Sequence, residues 1–176
     1  MMDPVWGTGG APGAQTDQMR MLGENAAAFL ERIKEAEQRI AVREWWMLGE
    51  AIPEARILAE LASLLAVARG ELEHTIVDHF GRVSLGADVF GAESHTSSDS
   101  MPLSDPVWLA ERTQEARSLL RAAAQVLPAY HRYGVALRDH VSALRLPPEA
   151  IHSLGIVADR LGEAVETVFE AGSGAP

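Results

Sequence analysis

Wherever apolar residues are plentiful in this chain, they recur three and four positions apart. Met19, Leu22, Ala26, Phe29, Ile33, Ala36 and Ile40 keep that alternation for three heptads, and Leu58, Leu61, Leu65, Ala68, Leu72, Thr75 and His79 repeat it. Such spacing lays an apolar seam along one face of an α-helix, and it does not suit a strand, whose faces alternate every two residues. Further seams follow at Leu109, Ala116, Leu119, Leu120, Ala123 and Val126; at Leu127, Tyr130, Gly134, Leu137, Val141 and Leu144; and at Ile151, Leu154, Ala158, Leu161, Val165 and Val168. No segment has a period of two. A helix with one such seam must bury it against others. The expected fold is therefore all-α, an antiparallel bundle of four to five amphipathic helices with neighbours crossing at roughly 20°.

Proline and glycine punctuate this pattern. Residues 1–15, with Gly7, Gly9, Gly10, Pro12 and Gly13, read as a flexible tail. A first helix is expected from Thr16, capped by Thr16 or Asp17 and running to about Leu48. Gly49 and Pro53 mark a corner that holds Trp45 and Trp46, and Pro53 suits a first helical turn because its missing N–H needs no partner there. The short connection makes residues 16–82 an antiparallel hairpin. Residues 84–104, rich in Gly and Ser, read as a long flexible loop. Asp105-Pro106 then opens a helical region to 146 in which Pro128 forces a kink or a break, leaving one helix or two. A last helix covers 148–170 after Pro147-Pro148, and 173–176 is tail. All of 16–172 is expected to form one domain, a size that buries a real core.

Composition excludes several classes. With 25 acidic residues against 15 basic ones, the formal charge is −10, the wrong sign for a protein that replaces counterions on nucleic acid. The absence of cysteine removes disulfides, thiolate metal sites and a cysteine nucleophile together. The stretch from Leu61 to Ala68 falls far short of the roughly 20 apolar residues that span a bilayer. The first residues carry no secretory pattern either, so the expectation is a cytoplasmic chain with no membrane association. Lys34 is the only lysine, and codon bias in a GC-rich genome accounts for the arginine excess most simply.

The most pointed chemical pattern is a pair of Glu-x-x-His motifs, Glu71 to His74 and Glu149 to His152, with Asp78 one turn beyond His74. Ferritin-like bundles hold two metal ions with two such motifs and two further glutamates, and carboxylate with imidazole suits iron or manganese. At about 100° per residue, however, Glu71, Asp78 and His74 lie roughly 100°, 120° and 160° from the seam of their helix, and Glu149 and His152 roughly 150° from theirs. Both motifs point away from the core. Their heights also disagree, one near a helix C-terminus and one in a first turn. Two solvated faces are expected, with a divalent metal at an exposed subunit interface as the minor alternative and no cofactor otherwise.

His79 occupies a seam position in a last turn, where an imidazole interacts well with free carbonyls. Neither Val77-Asp78-His79 nor Arg138-Asp139-His140 makes a dyad, since sequence neighbours do not face each other on a helix. There is no phosphate-binding glycine loop and no nucleophile elbow. His131 and Arg138 flank the seam that contains Tyr130 and could line a cleft. Asp-Pro-Val-Trp occurs at Asp3–Trp6 and at Asp105–Trp108, read as a coincidence of helix starts more than a duplication, with Trp6 a candidate tethered anchor. Arg112 to Arg145 carries six arginines against two acids, while from Pro147 onward Arg160 faces five acids. Complementarity within or between subunits is the simplest account. The functional expectation is a non-enzymatic interaction protein, self-associating, that scaffolds or adapts a protein partner. Trp6, Trp45, Trp46, Trp108, Tyr130, His131 and Arg138 are its candidate contact residues. A small-molecule or metal-dependent bundle enzyme is the alternative, and nucleic-acid binding through the arginines is disfavoured.

Overall fold

The computed structural model describes residues 12–80 and 102–174. Four long helices account for nearly all of them: α1 (Pro12–Ile40), α2 (Pro53–His79), α3 (Pro106–Ala143) and α4 (Pro148–Gly174), with a 3-10 turn at Trp45–Leu48. No strand occurs among the described residues. The fold is an all-α bundle, and its seams bury as their spacing requires. Leu22, Ala26, Phe29, Ile33, Leu58, Leu61, Leu65, Ala68, Leu72, Leu154 and Leu161 are all at most 1% exposed.

The boundaries differ from expectation in instructive ways. Helix α1 begins at Pro12, so Thr16 and Asp17 are interior positions and Asp17 pairs with Arg20 instead of capping. It ends at Ile40, well before Leu48, although Ala41, Val42, Arg43 and Glu44 could all be helical. The cause is tertiary. Trp45 is 2% exposed, and its indole Nε1 donates to the Ile40 carbonyl at 2.8 Å, taking the acceptor that a further helical turn would have used. From Trp45 the chain turns through Leu48, whose carbonyl accepts from Ile52, into α2 with Pro53 in its first turn.

Region 106–143 is one helix with Pro128 inside it. Asp105 caps it, accepting from the backbone N–H of Val107 at 3.0 Å and of Trp108 at 3.5 Å. Helix α4 continues to Gly174, past the expected stop at 170. The expected 1–15 tail up to residue 11, the loop up to residue 101, and the final two residues lie outside the described residues.

Cross-helix contacts fix the topology. Arg69 of α2 holds Glu37 of α1, and Arg117 of α3 reaches Glu54 of α2 at 2.8 Å. Arg43, just past α1, meets Glu115 near the start of α3 at 2.7 Å, while Phe29 of α1 packs on Tyr133 of α3 with centroids 4.6 Å apart. Helix α1 is therefore antiparallel to both α2 and α3, and α2 runs parallel to α3. A short turn sends α4 back along α3. Helix α4 packs against α2 and α3, α1 lies diagonally across from it, and the α1–α3 side is the most lightly packed. Every flanking pair is antiparallel, and the end of α2 and the start of α3 lie at opposite ends of the bundle.

Candidate functional site

Three tryptophans collect at one end of the bundle, where the α1–α2 corner meets the first turns of α3. Each has a different job. Trp45 is the buried plug described above. Trp108 is half-buried against the core and carries the Arg112 guanidinium 5.6 Å from its ring centroid, a cation–π geometry. Trp46 is 69% exposed. Around it the same end exposes Val42, Met47, Leu103 and Val107, so five of the eight large hydrophobics exposed among the described residues belong to this pole. Single exposed apolar side chains are ordinary; several at one end are not. The sequence singled out the tryptophans, but Val42, Met47, Leu103 and Val107 carried no signal, because segments so far apart in the chain come to one end only through the topology. Trp6 lies outside the described residues.

On the α1–α3 side a cleft is lined by Glu35, Ala36, Arg39, Leu119, Ala122, Ala123, Val126 and Tyr130, with Leu65 and Leu127 at its floor. It holds only about 40 Å³, an order of magnitude below the volume of a typical small-molecule pocket. Burial raises the Tyr130 phenol above its ordinary value, against the opposing effect of Arg32 and Arg39. Tyr133, deeper under Phe29, is pushed up to about 12 by burial. Tyr130 and Phe29 meet edge to face at 6.3 Å.

His131 and Arg138 do not join Tyr130. They lie on the α4 side of α3, where two glycines let the helices approach. A Cβ added at Gly162 would stand 3.1 Å from His131 Nε2, and one at Gly155 would stand 3.9 Å from Arg138 Cδ. The Arg138 guanidinium turns to Asp139 at 3.1 Å. Beside His131 an open groove of about 480 Å³ runs over α4, edged by Asp159, Glu163 and Glu166 with Arg160. Gly155 and Gly162 carry no signal in the sequence, because their role shows only once α3 and α4 are neighbours.

The two Glu-x-x-His motifs do not come together. His74 pairs with Asp78 at 2.9 Å on an exposed face of α2, Glu71 is half-buried on its own helix, and Glu149 and His152 are exposed on α4. Among the described residues no three carboxylate or imidazole groups converge in a way that could hold a metal ion. His79 is half-buried in the last turn of α2, and burial lowers the His140 imidazole below its ordinary value.

The charge asymmetry of α3 and α4 is not satisfied between those two helices. Arg112 and Arg117 pair with Glu115 and Glu54, and Arg160 with Glu163 on its own helix. No ion pair among the described residues joins an α3 arginine to an α4 carboxylate. No helix of the described residues is long and apolar enough to cross a membrane. No family model matches the chain, and neither a curated protein nor a solved structure matches it.

Proposed function

We propose that the chain is a non-enzymatic, self-associating interaction protein that presents the tryptophan pole to a protein partner, as a scaffold or adaptor. The observation that carries this reading is the apolar set Val42, Trp46, Met47, Leu103 and Val107 exposed at one end. Protein–protein interfaces concentrate their energy in a few aromatic and aliphatic anchors ringed by polar groups. Trp46 would be such an anchor, with Arg43, Arg112 and Glu115 beside the pole as a polar rim.

The test compares proteins retained from the source cells by the native protein and by a Trp46→Ser, Val107→Ser variant, followed by binding of the purified partner to each. Both changed residues are exposed, so circular dichroism and the melting temperature should not move. Loss of one defined partner with the variant supports the reading. Equal retention by both forms contradicts it.

A further inference from the structure

Helices α3 and α4 are in register. Gly162 faces His131 and Gly155 faces Arg138, so seven steps up one helix match seven steps back along the other. Extending that register puts Asp159 level with Gly134, and Glu170 level with Ala123. On α3, Arg121 and Arg132 are eleven residues apart, three full turns, and share one exposed face. On α4, Asp159 and Glu170 are also eleven apart and share an exposed face with Glu163 and Glu166. A basic stripe and an acidic stripe of equal repeat thus run side by side at matching heights, yet neither Arg121 nor Arg132 has an ionic partner among the described residues. Between the stripes lies the open groove of about 480 Å³, three of whose edges are carboxylates.

We propose that this face is the self-association surface, and that its occupant is a second copy of the chain. A two-fold axis parallel to the helices preserves every height while setting α3 of one copy against α4 of the other. Each Arg132 then enters the other copy's groove beside Asp159 and Glu166, and each Arg121 meets Glu170. The symmetry is isologous and closes at two copies. It also sets antiparallel helices against each other, as in every flanking pair of the bundle. The proposal rests on the self-association in the reading above and specifies its surface, which is separate from the tryptophan pole.

The experiment is light scattering on the full-length protein over a concentration series at low and high salt, with Arg132→Glu, with Asp159→Arg, and with both together. The native protein is expected at twice its 19.0 kDa chain mass, shifting toward monomer as salt rises. Each single reversal should weaken the dimer at least about tenfold, and the double reversal should restore it, because opposite charges again meet across the axis. Circular dichroism of each variant checks that the exposed changes leave the fold intact. A dimer indifferent to both reversals, or singles that weaken it without rescue by the pair, overturns the proposal. A dimer lost instead with Trp46→Ser overturns this surface and keeps self-association. A native protein monomeric throughout overturns both, including the case in which the groove takes a basic peptide of another protein.

Discussion

The indole N–H of Trp45 bonds the carbonyl of Ile40, five residues earlier, and with it a side chain closes the end of α1. The helix stops there because burying this ring is worth more than one further turn. Trp45→Phe keeps most of the apolar burial and orphans the carbonyl, a loss of about 1–3 kcal/mol. Trp45→Ala also opens a cavity and should cost about 3–5 kcal/mol. Urea denaturation of the two variants checks both the order and the gap. A Trp45→Phe variant as stable as the native protein would mean that the bond contributes nothing and packing alone ends the helix.

Glycines within the helices separate into removable and required ones. No atom lies within 4 Å of the position a Cβ would take at Gly70, in the exposed middle of α2. Gly70→Ala should stabilise the protein by about 0.5–1 kcal/mol through helix propensity. A Cβ added at Gly134 would stand 3.4 Å from Leu161 Cδ1 and 3.6 Å from Ala158 Cα, so an alanine there touches and a leucine cannot fit. Gly134→Leu should lower the melting temperature sharply, and its failure to do so would mean that α3 and α4 are less closely packed than described.

Arg145, in the turn between α3 and α4, has φ of 60°, a left-handed conformation in which a side chain crowds the backbone. Glycine relieves that crowding and loses some chain entropy in exchange. Arg145→Gly should therefore raise stability by up to about 1 kcal/mol, whereas Arg145→Val, branched at Cβ, should lower it. Thermal melts of the pair at equal concentration read the sign.

Both tyrosines should ionise late. Tyr133 is held up to about 12 by burial, and Tyr130 is raised as well. The unfolded chain releases its phenolic protons near 10, so the stabilising contribution is complete below that pH and is lost between about 10 and 12. Ultraviolet titration should show little tyrosinate until above pH 10, with unfolding accompanying its appearance. On the acid side His140 has the opposite sign. Its folded value is depressed, so its contribution is complete above the ordinary imidazole range and falls away as pH drops through it. Tyr133→Phe should remove much of the alkaline sensitivity, and His140→Gln the acid component.

Glu37 and Arg69 join α1 to α2 where both side chains are half-buried, and the pairing raises the guanidinium above its ordinary value. A double-mutant cycle with Glu37→Gln and Arg69→Met should return a coupling of about 1 kcal/mol, reduced by solvent screening of the exposed fraction. A coupling indistinguishable from zero would make the pair a register mark without energetic weight.

The seams were legible because burial acts locally: Phe29, Leu65, Leu72 and Leu161 lie at the spacing that one helix face imposes, and each is buried. Helix ends were less so. Ile40 ends α1 through a ring five residues away, a contact that propensity cannot register. Leu30 and Ile76 lie off the counted seams yet are fully buried, because each helix has two neighbours and so needs a wider apolar face than one seam. The tryptophans were marked as contact residues by chemistry alone; only packing told the plug Trp45 from the exposed Trp46.

The antiparallel arrangement of every flanking pair has an electrical consequence. Each helix start carries roughly half a positive elementary charge and each helix end roughly half a negative one. Alternating directions set these opposite poles side by side, so their fields largely cancel a few ångströms outside the backbone. What a distant molecule senses is then the side-chain pattern alone, with arginines along α3 and carboxylates along α4 forming a transverse dipole across one face of the rod. Such a field turns an approaching body about the long axis before contact, and salt weakens that steering without altering the fold.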